Sequence, residues 1–309
     1  MLTYQLSKVI STSLGGVSVP LQKTFSSYSN LFIKEDQSQA YNEYRPNYGT
    51  DCPKVFDRIF SYVNSGNDLA IDVATGTGQA ISPIAAKFTR VLGLDVSKSQ
   101  VDNATPFPNV EYSVRDAHDT QLPGGEADLV TVAQAMHWLD RPRFYQEVLR
   151  LLKPGGTFAV ITYDFGVLQV RPADQKVDYK AVQVQADQAE RHLNALWHEN
   201  WHDRMGPYWA APRKLVDNQY EDMEPLAPYF EDVRREQLEM PKRVTAEQLE
   251  GYMTSWSAYV THKQKHSVAP DPALRLKEEL SRVLHNGGFK SQDMILNQTL
   301  TLLLGRKQA

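Results

Sequence analysis

A glycine-rich run, DVATGTG from Asp72 to Gly78, is the first stretch of this chain whose residue types could do chemistry. It follows the apolar segment 69–71 and precedes a second apolar segment, 80–85. A strand that ends in a glycine-rich turn and opens a helix begins a nucleotide-binding α/β sheet, because glycine lets the main chain approach a ligand closely. The dinucleotide pattern G-x-G-x-x-G fits badly, since its third glycine would fall on Ile81 or Gln79.

Two histidines four residues apart, His198 and His202, form a second pattern, HENWH. On a helix both rings would share one face, as a zinc pair requires, and the run matches the HExxH pattern of zinc peptidases with Glu199 as the base. A five-residue pattern often occurs by chance, and no glycine-spaced third histidine follows. We therefore predict no catalytic metal, and a chance metal-binding face is the better interpretation of the pair.

The surrounding elements must position these residues. Apolar residues repeat at helical spacing over 55–63, with Asp51 before Cys52-Pro53 as the expected N-cap. Strand-like and helix-like segments then alternate from residue 69 to 163, which predicts a parallel, doubly wound α/β sheet. A long polar-faced helix follows from about residue 173. Further on we predict a strand at 233–241, a capping box at Thr245, a helix capped by Asp271 and a last strand at 294–304.

The glycine-rich run resembles motif I of class I S-adenosylmethionine-dependent methyltransferases, with Ala74 in place of the first glycine. Four further segments are similar to motifs of the same family and stand in the same order: VLGLDVS, VEYSVRDAHD, ADLVTVAQAMHW and LLKPGGTFAVITY. The resemblance implies a mostly parallel, seven-stranded Rossmann-like sheet with an inserted helical cap. It also implies that S-adenosylmethionine is the cofactor and S-adenosylhomocysteine the product.

The resemblance assigns cofactor contacts along the carboxyl edge of this sheet. Asp95, at the end of the second strand, would accept hydrogen bonds from the ribose diol, and Asp116 with Ala117 would face the adenine amino group. The complete set of expected cofactor contacts is Tyr28, Asp72, Ala74, Thr75, Gly76, Gly78, Asp95, Val96, Asp116, Ala117, Gln134 and Ala135.

Three further runs, YNEYRP at 41–46, HW at 137–138 and TSWSAY at 254–259, resemble the small-molecule methyltransferases similar to trans-aconitate methyltransferase. In that subgroup an N-terminal aromatic segment folds over the cofactor, a role this likeness suggests for Tyr28 and Tyr41, with helix packing as the alternative. Guanidinium is a planar paired donor suited to an acceptor carboxylate, and a surface salt bridge is the alternative role, favoured slightly for Arg213. The expected acceptor contacts are Tyr41, Arg45, Trp209, Arg213 and Trp256.

His137 and Trp138 are the candidates for contact with the reacting groups. His137 would touch the acceptor or remove a hydroxyl proton, and the alternative is that it forms a wall of the cofactor pocket. Trp138 could present its ring face to a cationic sulfonium, or it could be core. A carboxylate acceptor needs no general base, because an anion and a cation react to neutral products.

The leading hypothesis is therefore a small-molecule methyltransferase that makes a methyl ester from a carboxylate by in-line SN2 transfer. The alternatives are O-methylation of a hydroxyl with His137 as base, a non-catalytic S-adenosylmethionine-binding protein, and a zinc peptidase. We divide the chain into a flexible N-terminal tail (1–23), a helical segment over the cofactor site (24–67), the cofactor-binding core (68–163), a helical cap with the acceptor region (164–230) and a C-terminal part that completes the sheet (231–309).

The composition is near the globular average, with 41% hydrophobic and 23% charged residues among 309. The formal net charge of -4 and the absence of basic tracts disfavour a nucleic-acid substrate. The single cysteine, Cys52, allows no intramolecular disulfide, and no apolar run reaches the length of a membrane span. We expect a cytoplasmic enzyme that acts on a small molecule such as an organic acid. Residues 1–34 lack acidic residues but also arginine, so an organellar signal is the weaker alternative to a tail. The sequence does not indicate an oligomeric state.

Overall fold

One sheet of eight strands forms the centre of the computed structural model, which describes residues 43–309. The strands are β1 (Leu69–Val73), β2 (Arg90–Asp95), β3 (Val110–Val114), β4 (Ala127–Ala133), β5 (Leu152–Tyr163), β6 (Val167–Val170), β7 (Glu231–Arg243) and β8 (Met294–Arg306). The order is β3-β2-β1-β4-β5-β8, with β7 on the other side of β8. β1 to β5 pair in parallel, whereas β8 runs antiparallel to β5, β6 and β7. The predicted doubly wound, mostly parallel Rossmann-like sheet is confirmed, with β6 as an additional strand.

Ten α-helices accompany this sheet in the described part of the chain. They are α1 (Tyr48–Asp51), α2 (Lys54–Tyr62), α3 (Ile81–Lys87), α4 (Lys98–Asp102), α5 (Arg141–Leu151), α6 (Tyr179–His198), α7 (Lys214–Asp217), α8 (Ala246–Thr254), α9 (Ser257–Lys265) and α10 (Pro272–Asn286). A π-helical turn, Glu199–Arg204, extends α6. A 3-10 turn, Met136–Trp138, follows β4.

Alternate residues of each central strand enter opposite cores, as the pleat requires. Ile71 and Val73 of β1 pack in the same core as Phe144 and Val148 of α5. Ala70 of the same strand packs on the opposite face, in a core that includes the buried residues of α2, α3, α6, α8 and α10. Burial on both faces explains why β1 is a continuous apolar run apart from Asp72.

Two of the predicted helix caps are confirmed and one is wrong. The Thr245 side chain caps α8 in a complete capping box with Gln248, and Asp271 caps α10 ahead of Pro272. Asp51, expected to cap the helix at 55–63, is instead the last residue of α1, whose cap is Asn47. α2 begins after Pro53, which offers no side-chain cap. The Asp51 carboxylate accepts hydrogen bonds from the Asn47 N–H and from Lys242.

The region 164–230, expected to be helical, starts with β6 and then continues through α6, short turns and α7. The later strand β7 lies at the sheet edge, and most of its side chains are exposed. Its sequence, EDVRREQLEMPKR, is charged at most exposed positions, whereas Met240 is buried, and charge on an edge strand discourages pairing with other chains. No helix within residues 43–309 is both long and apolar enough to cross a bilayer.

The predicted tail, 1–23, and the predicted contacts Tyr28 and Tyr41 lie outside the described residues. The described part of the predicted covering segment, 43–67, contains α1 and α2.

The turn after β1 uses the left-handed backbone region three times. Ala74, Gly76 and Gly78 have φ values of +53°, +60° and +95°. A residue with a Cβ atom pays about 1–2 kcal/mol for the left-handed conformation. Ala74 therefore carries a backbone strain at the position where the resembled motif has its first glycine.

We expect Ala74→Gly to raise the free energy of unfolding by about 0.5–1 kcal/mol, because relief of the left-handed strain outweighs the extra freedom of glycine in the unfolded chain. Denaturant unfolding measures the change. The control is Ala85→Gly, the same exchange inside α3, which should lower stability by about 1 kcal/mol. An equal loss of stability in both variants would contradict the strain at Ala74.

Candidate active site

Two clefts lie side by side at the carboxyl ends of β1 and β4, where ligands bind in open α/β sheets. The first, which we call the turn cleft, is lined by the glycine-rich turn from Asp72 to Gly76, the segment Arg45 to Tyr48, Ala133 and Tyr163. The second, which we call the cap cleft, is lined mainly by Gln134, His137, Trp138, Phe165, Trp209 and Arg213. Arg45 lines both clefts.

Asp72 fixes the shape of the glycine-rich turn. Its side chain accepts hydrogen bonds from the hydroxyls of Thr75 (2.7 Å) and Thr131 (2.5 Å), which join β1 to the turn and to β4. The residue is 1% exposed. Burial raises the pKa of this carboxyl to about 6, because the loss of water outweighs the two hydroxyl hydrogen bonds.

Asp95, the predicted ribose ligand, lies against the same turn. One carboxylate oxygen accepts the Gly76 N–H (2.9 Å) and the other accepts the Ser97 N–H (2.8 Å). Burial raises the pKa of Asp95, and the backbone hydrogen bonds oppose that shift. Each carboxylate oxygen has a second lone pair, so the residue retains the capacity to accept a ligand hydroxyl. Val96 follows directly, and Gly78 ends the turn.

Asp116 and Ala117 follow the end of β3, where the motif comparison places them. Asp116 is exposed and accepts hydrogen bonds from the backbone N–H of His118 (2.8 Å) and from its ring Nδ1 (2.9 Å). Although partial burial acts in the opposite direction, the bonds from His118 hold the pKa of Asp116 below its ordinary value. Ala117 is buried.

Gln134 joins the ends of β4 and β5. Its side-chain oxygen accepts the Tyr163 N–H (2.9 Å) and the Thr162 hydroxyl (2.9 Å), and its amide nitrogen donates to the Tyr163 carbonyl (3.0 Å). The residue has a left-handed φ of +51°. The side-chain amide is thus hydrogen-bonded to β5, and the residue also lines the cap cleft. Ala135, the next residue, is buried.

His137 is a neutral imidazole in the wall of the cap cleft. Its Nδ1 lies 2.9 Å from the Tyr220 hydroxyl, and the residue is 4% exposed. Burial is the main cause that holds the pKa of His137 well below its ordinary value, and the nearby positive charges of Arg213, Arg141 and Arg45 add to it. The Trp138 ring lies 4.7 Å from the His137 ring.

Arg45 ties three parts of the chain together. Its guanidinium donates to the Ser255 hydroxyl (2.9 Å), the Ser255 carbonyl (3.1 Å) and the Tyr163 hydroxyl (3.2 Å). Ser255 follows α8 and Tyr163 ends β5. Next to it, the Tyr44 ring packs so closely on Gly251 of α8 that a Cβ atom there would lie 2.5 Å from the ring.

Arg213 is a buried cation beside aromatic rings. Its guanidinium carbon lies 4.7 Å from the Phe165 ring centroid and 5.2 Å from that of Trp209. Within residues 43–309 its side chain makes one hydrogen bond, to Asp217 four residues on (2.8 Å). Burial lowers the pKa of Arg213, but guanidinium starts far above neutrality and stays charged. Among residues 43–309, those that line the cap cleft include two arginines and no carboxylate.

Trp256, a predicted acceptor contact, is fully buried behind the cap cleft. Its ring lies 5.1 Å from the Phe165 ring and 5.7 Å from the Trp209 ring. Sequence reasoning did not find Tyr163, Phe165 and Tyr220, which contact the predicted site residues. Tyr163 ends β5 and Phe165 comes two residues later, so the rule that ligands bind beyond the carboxyl ends of parallel strands could have found them.

The HENWH run does not form the arrangement of a zinc peptidase. The Glu199 carboxylate, which would be the base, accepts two hydrogen bonds from the Arg204 guanidinium (2.9 and 2.6 Å). His198 and His202 are exposed, and their neighbouring carboxylate is Asp203. The described residues form no buried cleft around these two histidines, as a peptidase would need.

The sheet order and the turn cleft define a Rossmann-like cofactor-binding protein. A family profile described as "Methyltransferase domain" matches residues 71–160. A protein of Dictyostelium discoideum named as a methyltransferase is 31% identical over 271 residues, covering 88% of this chain and 93% of that protein. A protein of Saccharomyces cerevisiae named as an S-adenosylmethionine-dependent methyltransferase is 25% identical over 276 residues, covering 84% and 91%.

A solved structure from Anaeromyxobacter dehalogenans, named as a type II methyltransferase, matches this fold with a TM-score of 0.63 at 28% identity. The match covers 85% of this chain and 97% of that one. The chain therefore belongs to the S-adenosylmethionine-dependent methyltransferases. The turn cleft suits such a cofactor, because its left-handed turn offers bare backbone beside the buried carboxylate of Asp95.

We expect Asp72→Asn to flatten the pH dependence of stability. The pKa of Asp72 is about 6 in the folded protein and about 3.9 in the unfolded chain. The protonated carboxyl therefore stabilises the fold fully below about pH 3.9, and this contribution is lost as the pH rises through about 6. Between pH 5 and pH 6 the free energy of unfolding of the wild-type protein should fall by about 1 kcal/mol relative to that of the variant. Denaturant unfolding at each pH measures the difference. The exposed Asp57→Asn should retain the wild-type slope, and equal slopes for all three proteins would refute the raised pKa.

We expect Asp95→Asn to weaken S-adenosylmethionine binding about tenfold or more, because a charged acceptor becomes a neutral one with a single acceptor oxygen. Titration calorimetry measures the affinity, and circular dichroism checks that the fold is retained. Glu111→Gln, an exposed carboxylate on β3, is the control and should bind as the wild type does. Unchanged affinity for the Asp95 variant would mean that the ribose contact is assigned wrongly.

Proposed function

We propose that this methyltransferase transfers the methyl group to a carboxylate of a small organic acid bound in the cap cleft. The observation that carries this proposal is the charge of that cleft. Arg45 and Arg213 line it, His137 is neutral, and no carboxylate is among its lining residues in the described part of the chain. Arg213 is already paired with Asp217 on one side, and the remaining donors of its guanidinium favour an anionic ligand, because charge-assisted hydrogen bonds to a carboxylate are strong.

Arg213 is the side chain we assign to the acceptor carboxylate. All three Arg45 nitrogens donate to Ser255 or Tyr163, so Arg45 chiefly holds the cleft together. Arg213 has one hydrogen bond within residues 43–309, which leaves further donors of its planar fork for a ligand. Phe165 and Trp209 flank the guanidinium and supply apolar walls. This pairing of a cation with aromatic walls suits an acid with an apolar body.

When bound, S-adenosylmethionine supplies a methyl group already activated on a sulfonium. The protein's residues must then orient the acceptor and exclude water. Arg213 orients the acid, Trp138 and Trp209 cover it, and His137 adds no charge. A dry cleft removes water from the acceptor anion, and positioning in line lowers the barrier by several kcal/mol.

The alternative acceptor is a hydroxyl, with His137 as the base. The observation that favours it is that an unprotonated imidazole lines the same cleft. Its low pKa makes it a weak base, which is why we place the carboxylate first. A protein that binds S-adenosylmethionine without catalysis is the third possibility.

Other finer assignments belong to this proposal. The likeness to the trans-aconitate methyltransferase subgroup supports an organic-acid acceptor, and the docking of Tyr44 and Arg45 against α8 supports a covering role for the segment 24–67. The cofactor contacts assigned from the sequence, the division into a core at 68–163 and a cap at 164–230, and a cytoplasmic location remain predictions.

The test uses methyl-labelled S-adenosylmethionine with three acceptor classes: tricarboxylic acids, aromatic carboxylic acids and the matching phenols. We expect label that mild alkali releases as methanol, which identifies a methyl ester. Base-stable label on a phenol would show that the acceptor group is a hydroxyl and not a carboxylate. Cofactor binding without any labelled product, from these acceptors or from a small-molecule extract, would favour the non-catalytic alternative.

Arg213→Met should reduce kcat/KM for the acid about 100-fold, the value of a lost charged hydrogen bond, while cofactor affinity stays unchanged. The matched control is Arg171→Met. Arg171 also pairs with one carboxylate, Glu190, and lies 4.6 Å from the Tyr179 ring, but it lines neither cleft. Equal activity of both variants would contradict the role of Arg213.

His137→Gln should lower kcat/KM less than about tenfold if the acceptor is a carboxylate, and far more if the acceptor is a hydroxyl that His137 must deprotonate.

A further inference from the structure

The end of α6 carries a cluster of metal-ligating side chains that the methyl-transfer site does not use. His198, His202 and Asp203 each offer one ligand atom, and these atoms all lie within 4.8 Å of one another. All three residues are exposed, so an ion could reach them from solvent. The described residues contain all eight histidines of the chain, and this is their one group of three or more such ligands.

We propose that His198, His202 and Asp203 bind a divalent transition-metal ion on the surface of the cap. The two imidazole rings are stacked, with centroids 4.6 Å apart and planes inclined by 23°. Ligand atoms around a tetrahedral zinc ion lie about 3.4 Å apart, since each bond is about 2.0–2.1 Å long. Small side-chain rotations therefore bring the three ligand atoms onto one ion.

The ligand atoms of the cluster already lie close together. The His202 Nδ1 lies 2.9 Å from an Asp203 carboxylate oxygen, so both atoms can bind one ion when Nδ1 carries no proton. Two nitrogen ligands and one oxygen select zinc, nickel or copper over magnesium or calcium.

The surrounding charges do not oppose a cation. The nearest guanidinium in the sequence, Arg204, is paired with Glu199, which offsets its charge. That pairing also occupies the one carboxylate that could act as a hydrolytic base. The ion is therefore structural in this proposal and takes no part in hydrolysis.

The proposed site lies next to the wall of the cap cleft. The π-helical turn Glu199–Arg204 carries Trp201, whose ring stacks on Phe165 at 4.6 Å and lies 5.0 Å from the His198 ring. The Trp201 carbonyl accepts the Trp209 indole N–H (3.1 Å). Phe165 and Trp209 line the cap cleft. An ion that joins His198 to His202 would fix this turn, and with it one wall of the cleft.

The test is calorimetric titration of the chelator-treated full chain with zinc and with nickel, with magnesium as the negative probe. We expect one zinc or nickel ion per chain, no binding of magnesium, a higher melting temperature with zinc and a change in tryptophan fluorescence.

His198→Ala and His202→Ala should each weaken binding by about tenfold or more. Two controls should bind as the wild type does. His192→Ala removes an exposed histidine from the same helix, and His266→Ala breaks the other pair of histidines four residues apart, at 262 and 266. Binding that survives both cluster variants, or that is lost in a control, would overturn the assignment, as would the absence of binding. None of these measurements depends on the identity of the methyl acceptor.

Discussion

The three hydrogen bonds of the Arg45 guanidinium hold both clefts in place. They join the segment before the sheet to the end of β5 through Tyr163 and to the corner after α8 through Ser255. The three segments are far apart in sequence, so local backbone preferences alone cannot bring them together. The same side chain lines the turn cleft and the cap cleft, so the two ligand sites share one wall. If ligand binding in one cleft shifts this wall, the shape of the other cleft therefore changes as well.

The site balances buried charges of both signs. On the turn side, Asp72 and Asp95 are buried carboxylates held by hydroxyl and backbone donors, without a cation in hydrogen-bond contact among the described residues. On the cap side, Arg45 and Arg213 are cations, and burial keeps His137 between them neutral. The described residues thus place buried carboxylates on the turn side and arginines on the cap side, where Asp217 pairs with Arg213. Arg45 lines both clefts, so the two sites share one positive charge.

The sequence predicted the sheet well because its signals are local. The DVATGTG turn, the run of buried strands and the caps at Thr245 and Asp271 each depend on neighbouring residues, and the structure has them. The cap at Asp51 was wrong because Asn47 offered a competing cap four residues earlier. β6 was missed because only four residues, paired to β8, define it.

The acceptor region was less predictable, because its contacts join distant segments. Arg45 and Arg213 looked equivalent as guanidinium donors, yet Ser255 and Tyr163 occupy the first while Asp217 alone bonds the second within residues 43–309. Trp256 was expected at the surface of the pocket and lies behind Trp209. The sequence contains no pattern that tells which of these two tryptophans lines the cleft and which is buried behind it.

The position of β8 in the chain has a consequence for the protein's synthesis. This strand, residues 294–306, pairs with β5, β6 and β7, all of which precede it. Until β8 has been made, β5, β6 and β7 each lack this partner and leave a backbone edge unpaired. Such edges invite wrong pairing in partly made chains. The last strand to be synthesised is therefore the one that closes three edges at once.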